Sequence, residues 1–216
     1  MNKGTKKITM VAMLCAIAYV VMVVGRVPVV LFLKYDPKDA IITIGGFIFG
    51  PATALIISLI VSSIEMFTVS DTGIIGFIMN VLSTCTFACT AAFIYKKKHT
   101  VSGAVIGLIA GGIIMTGVMM LWNYFITPIY MGFPREKVAE LLIPAFLPFN
   151  LLKGGLNGAI TMLIYKPVVT GLRKAGLIPE QEKTGKSGKF NSGIMLISTF
   201  VLVTCILLVL VVKGVF

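Results

Sequence analysis

Asn150, Lys153 and Asn157 lie three and four residues apart in IPAFLPFNLLKGGLNG (residues 143–158), a stretch apolar enough to sit inside a membrane. On a helix that spacing puts all three on one face. Carboxamides offer donors and acceptors in fixed pairs, and an ammonium offers donors only. A lysine inside a membrane helix costs roughly 2.5–3.5 kcal/mol at the bilayer centre on insertion scales, less near the interface. Two readings meet here. Either Lys153 snorkels to water while Gly154, Gly155 and Gly158 pack against a neighbouring helix, or the face lines a binding site. Asn123 in LWNYFITP favours the site. An interfacial aromatic belt accounts for Trp122 and Tyr124 but not for the amide between them. Amides and an ammonium among aromatic rings suit a flat, polar-edged molecule, uncharged or weakly anionic.

The elements that must position these groups follow from composition. Of 216 residues, 57% are hydrophobic and 12% charged, and the mean hydropathy is +1.01. These values predict an all-α integral membrane protein. Apolar runs are continuous and do not alternate every second residue, which argues against a barrel. Spans are expected over 8–27, 73–95, 101–125, 148–169 and 194–212, each near the roughly 20 residues that a bilayer core demands. The first has no small-residue cleavage site after it and reads as a retained helix.

Residues 39–67 hold Gly50-Pro51 in their middle and form either one kinked span or two short ones. Charge decides between them. With a turn at Gly50-Pro51, the basic clusters at 3–7, 96–98 and 173–189 all fall on the cytoplasmic side, as the positive-inside rule requires. Proline also disfavours helical geometry at the residue before it. Two helices are therefore expected, 40–49 and 52–67. The first is too short to cross unaided, so extended chain before it completes the depth within protein. The organisation is a six-helix membrane domain (1–174), a cytoplasmic basic linker (175–192) and an extra C-terminal transmembrane helix (193–216).

The net charge of +11 invites a nucleic-acid reading. The basic residues flank apolar segments, which the positive-inside rule explains without nucleic acid. Cys15, Cys85, Cys89 and Cys205 lie in apolar runs with no acidic or histidine partners, and His99 is the single histidine, so no metal site is expected. TGKSGK at 184–189 repeats the end of a phosphate loop, but Glu180 stands where its first glycine belongs. No nucleophile–base pair or paired catalytic carboxylates stand out, so an enzyme is not expected.

The two-helix solution gathers 34–39 (KYDPKD), Glu65, Asp71, Trp122-Asn123-Tyr124, Asn150 and Lys153 at the extracellular ends. Residues 134–147 lie there too and read as a short amphipathic lid. Lys153 has no evident carboxylate partner in mid-membrane.

KYDPKD, NYFITPIYMG and above all PFNLLKGGLNG resemble the riboflavin-specific S-components (RibU group) of energy-coupling factor (ECF) vitamin transporters. The resemblance covers roughly residues 9–174, and the C-terminal span is additional to its six-helix pattern. It implies a bacterial cell-membrane subunit that captures riboflavin from outside with high affinity. It implies ligand contacts at Asn123, Asn150 and Lys153, a gating loop over 29–39 that includes Tyr35 and Asp36, and no cofactor beyond the transported vitamin. Trp122, Tyr124 and Asn157 join the candidate site, as does Glu65 as a possible partner of ribityl hydroxyls, with Asp71 beside it. The implied partners are a transmembrane coupling subunit and two ATP-binding cassette ATPases. Ala12 and Ala16, four apart on the first span, have the small-residue spacing that permits close helix contact and match the family's docking face. The alternatives are an S-component for another vitamin or a nucleobase-like compound, or a self-contained secondary carrier. A carrier should show internal repeats and intramembrane ionisable relays, and no repeat is evident.

Overall fold

The computed structural model describes residues 3–174, 176 and 192–212; the expected linker at 175–192 falls almost wholly outside them. Helix α1 spans Lys3–Gly25. Two short strands follow, β1 (Val27–Val30) and β2 (Leu33–Tyr35), paired antiparallel with Val27 opposite Tyr35 and Val30 opposite Leu33. This hairpin is the extended chain expected before the short helix. Leu31 turns it with a positive φ of 50°.

Helices α2 (Lys38–Phe49) and α3 (Pro51–Thr68) meet at Gly50, whose φ of 95° suits glycine and few other residues. Pro51 opens α3 at a position where its missing N–H costs nothing. At 12 residues, α2 rises about 18 Å at 1.5 Å per residue, too little for a bilayer core of about 30 Å. The two-helix expectation holds.

Helices α4 (Gly73–Lys98), α5 (Val101–Met131) and α7 (Leu147–Lys174) form the rest of the bundle. Helix α5 overruns its expected end at residue 125. Pro128 sits inside it without ending it, and Gly132 at φ 66° stops it instead. The expected lid is the short helix α6 (Arg135–Leu141) followed by a π-helical turn, Leu142–Phe146. Pro148 has no N–H to give the carbonyl four residues back, so the ladder widens there, with Leu147 N donating to Leu142 O. Helix α8 (Ser192–Val212) packs along α7 and touches β1.

Close packing rests on small residues. A Cβ on Gly111 of α5 would lie 2.6 Å from Phe87 O of α4. Among the described residues, six helices are long and apolar enough to cross a membrane. The Gly50-Pro51 turn lies at the same end as Lys96–Lys98: the Cys89 thiol reaches Pro51 O at 3.5 Å, and Phe47 stacks 4.5 Å from Tyr95. Tyr95 in turn shares a 2.6 Å hydrogen bond with Tyr165 of α7, and Lys6 donates to Gly176 O nearby. The basic clusters that can be placed therefore share one end, and the hairpin caps the other.

Candidate binding site beneath the hairpin

Helix α7 buries Asn150, Lys153 and Asn157 on one face, at 1%, 5% and 1% exposure. That burial excludes snorkelling for Lys153. The adjacent glycines serve helix packing: a Cβ on Gly154 would lie 3.3 Å from Gly112 of α5, and one on Gly155 would lie 3.2 Å from the Cys205 sulfur of α8.

Lys153 donates to Ser83 Oγ of α4 at 3.2 Å and pairs with Asp39 Oδ2 of α2 at 3.3 Å. The expectation of a lysine without a carboxylate partner is thus corrected. Asp39 sits in the first turn of α2, across the bundle, and nothing in the local pattern around Lys153 points to it. Thr84 Oγ1 donates to the other Asp39 oxygen at 2.6 Å. Beside this pair, Lys38 is fully buried and binds Glu65 of α3 at 2.5 Å and Asp36 at 3.6 Å. Arg26, just past α1, also pairs with Glu65 and lies 4.0 Å from Asp36. Unpaired, any of these charges would be prohibitive in such surroundings. Together, three cations and three carboxylates balance.

On the facing side, Asn123 of α5 has no exposed surface. Its Nδ2 donates to Met119 O at 2.7 Å, and its Oδ1 accepts from Thr127 Oγ1 at 3.0 Å. Asn150 likewise donates to Phe146 O, the last residue of the π-helical turn. Thr127 lines a narrow cleft at the mouth, with Phe32, Trp122 and Tyr130 as aromatic walls and Thr72 at the rim. Phe32, next to the hairpin turn, closes the cleft against Tyr130 at 5.6 Å and Phe146 at 6.2 Å between ring centroids.

The structure therefore gathers the candidates into three neighbouring sets. Trp122 and Asn123 belong to the aromatic mouth. Tyr35 joins the α7 face, its hydroxyl donating to Asn157 Oδ1 at 3.4 Å, which leaves Asn157 Nδ2 buried without a partner. Asp36 and Glu65 belong to the charge cluster. Tyr124 is half-buried, stacks on Phe125 and does not line the cleft. Asp71 pairs with Lys34 of the hairpin at an exposed site. Ala12 and Ala16 lie on the exposed face of α1.

A model of the ECF transporter, substrate-specific component, matches residues 6–165. The chain belongs to this family. This S-component is 29% identical over 179 residues to the riboflavin transporter RibU of Staphylococcus aureus (strain TCH60), covering 78% of this chain and 93% of the relative. It is 28% identical over 186 residues to the riboflavin transporter FmnP of Bacillus subtilis (strain 168), covering 79% and 97%. A solved structure, described as the S component of a bacterial ECF transporter, superposes with a TM-score of 0.69 at 27% identity, covering 79% of this chain and 99% of that one. The family match ends at residue 165, so α8 of this S-component lies beyond it.

Sequence reasoning placed Lys38 and Asp39 in the polar group and gating loop without naming them as ligand contacts, and passed over Arg26, Ser83 and Thr84. A signal existed for the charged ones. Asp36, Asp39 and Glu65 all fall at predicted membrane depth or its edge, and each needs a cation. For Ser83 and Thr84, two hydroxyls in an apolar helix, no sequence signal distinguishes them from Thr86 and Thr90 of the same helix.

Proposed function

We propose that this S-component binds riboflavin at its outward mouth and delivers it inward with a coupling subunit and two ATPases. The observation that carries the reading is the aromatic cleft of Phe32, Trp122 and Tyr130, standing over the Asn123–Thr127 pair. A tricyclic isoalloxazine wants flat apolar walls, and its pyrimidine edge alternates carbonyl acceptors with an N–H donor, which carboxamides complement. The riboflavin transporters among its relatives support the choice of ligand. As it stands the cleft is too narrow to hold a tricyclic ring, so the hairpin swings outward to admit the ring and Phe32 releases Tyr130. Asn123, Asn150 and Lys153 contact the ligand, and Trp122 stacks on it. Tyr35 and Asn157 shape the inner end.

A titration of the detergent-solubilised protein with riboflavin, read by quenching of flavin fluorescence, tests this directly. Saturable binding is expected, and folded protein that gives none refutes the reading. Asn123→Ala, Asn150→Ala and Lys153→Ala should each cost about 1–3 kcal/mol of binding energy, the penalty for leaving a polar partner unsatisfied. Wild-type affinity in all three removes them from the site. Competition with thiamine, biotin, folate and a nucleobase separates riboflavin from other ligands of the scaffold.

The coupling subunit docks on the exposed α1 face that carries Ala12 and Ala16, where small side chains allow close helix approach. Ala12→Trp and Ala16→Trp should abolish ATP-dependent uptake into proteoliposomes and leave riboflavin binding intact. Uptake without the ATPases would favour a self-contained carrier instead.

A further inference from the structure

Lys153 stands out for how it is held. Its ammonium is almost fully enclosed, and two consecutive residues of α4 fix the pair it makes. Ser83 Oγ accepts from Lys153, while Thr84 Oγ1 donates to Asp39 Oδ1, so α4 sets both partners side by side. Asp39 Oδ2 carries the ion pair and makes no hydrogen bond of its own. An ammonium has three donors. Ser83 takes one, so Asp39 compensates the charge without consuming all the donors.

The charges around the pair also sum to zero. Arg26 at the end of α1, Lys38 on α2 and Lys153 on α7 face Asp36 after β2, Asp39 on α2 and Glu65 on α3. Asp36 and Glu65 act on Lys153 electrostatically as well, though from further away than Asp39. Neutral polar neighbours complete the surroundings: Tyr35 on β2, Ser83, Thr84 and the Cys85 thiol on α4, and Asn150 and Asn157 on α7. A ligand with a formal charge, entering here, would leave that charge uncompensated in a low-dielectric interior.

We infer that Asp39 is a specificity-determining residue of the site: by pairing with Lys153 it removes the net positive charge of the α7 face and restricts the ligand to its uncharged form. This rests on the riboflavin reading above, and it adds a residue and a charge rule to it. Lys153 then acts as a hydrogen-bond donor and not as an anion receptor. For riboflavin, the relevant ionisable group is the imide N–H of the pyrimidine ring. The pair stabilises the protonated imide, because loss of that proton would put an anion into a site already balanced.

The experiment compares wild type, Asp39→Asn, Asp39→Glu and Thr84→Val in the full-length protein. Affinity for riboflavin is measured across pH, with the absorption spectrum of the bound flavin reporting imide deprotonation. In wild type the bound imide should hold its proton to higher pH than free riboflavin does. Asp39→Asn leaves Lys153 uncompensated, so riboflavin binding at neutral pH should weaken about 10-fold or more. Its bound imide should deprotonate about one pH unit or more below wild type, as an opposite charge within reach dictates. Asp39→Glu keeps the charge and should restore the wild-type titration. Thr84→Val removes only the hydroxyl that orients Asp39, so affinity should fall with little change in the titration midpoint.

A purely structural Asp39 would weaken binding without moving the imide titration, and that result overturns the inference. Wild-type affinity and titration in Asp39→Asn would overturn it as well. If Asp39→Asn does not fold, Asp39→Glu and Thr84→Val decide: a changed midpoint in either contradicts the charge rule. Failure of wild type itself to bind riboflavin refutes the ligand reading and this inference with it, whereas normal wild-type binding with an unmoved variant refutes the inference alone.

Discussion

Glu65 receives two cations, Arg26 and the fully buried Lys38. Removing it leaves Asp36 alone to compensate two cations, the nearer being the fully buried Lys38 at 3.6 Å. Glu65→Ala should destabilise the protein by about 3–5 kcal/mol, the cost of breaking a buried pair from one side, seen as a lower midpoint in detergent thermal unfolding. An unchanged midpoint would mean that Asp36 compensates Lys38 on its own. The exposed Lys34–Asp71 pair makes the opposite case. The Lys34 hydrogen bond and charge hold the Asp71 carboxyl below the ordinary carboxylate range. A lowered carboxyl pKa contributes stability above the unfolded value, near 4, and the contribution disappears as pH falls through the lowered folded value. Exposed pairs are worth little, so Asp71→Asn should leave thermal stability nearly unchanged at pH 7. Any small difference from wild type should vanish in acid. Residue identity alone ranks Glu65 and Asp71 alike, because both are acids near a membrane end; burial separates them.

At the scale of elements, the sequence placed the spans well because hydropathy and length are local quantities. Gly50-Pro51 marked the α2–α3 turn correctly, since both residues restrict the backbone where they stand. Helix α5 runs past its expected end at residue 125 and through Pro128, because a proline inside a long helix removes one hydrogen bond and need not end it when packing on both sides continues. The π-helical turn before Asn150 was invisible in hydropathy, although Pro144 lies within it and Pro148 just beyond it. The α4–α5 seam depends on Gly111, whose added Cβ would meet Phe87 O at 2.6 Å. Gly111→Val should therefore push α4 and α5 apart and cost about 1–3 kcal/mol, the usual penalty for overpacking. Thermal unfolding checks this, and Gly117→Val provides the contrast because no atom lies within 4 Å of the Cβ added there.

Across the whole molecule, two ends of different chemistry oppose each other. The basic end gathers Lys96–Lys98 and the Gly50-Pro51 turn, and the other end carries the hairpin, Asp71 and the aromatic mouth. Of single cysteines placed at Lys34 and Lys97 in a background freed of native cysteines, one should label with an impermeant maleimide in intact cells and the other only after permeabilisation. Position 34 should react from outside. Labelling of both from one face would overturn the arrangement.

The sequence by itself determined that this chain lives in a membrane, where its long apolar helices fall and which α7 face holds its polar residues. The bilayer imposes length, apolarity and charge bias on each segment separately, so those features are readable segment by segment. Only the tertiary structure decided which charge meets which. Asp39 finds Lys153 and Glu65 finds Lys38 across different helices, and compensation of buried charge depends on distance in space, which position along the chain does not record.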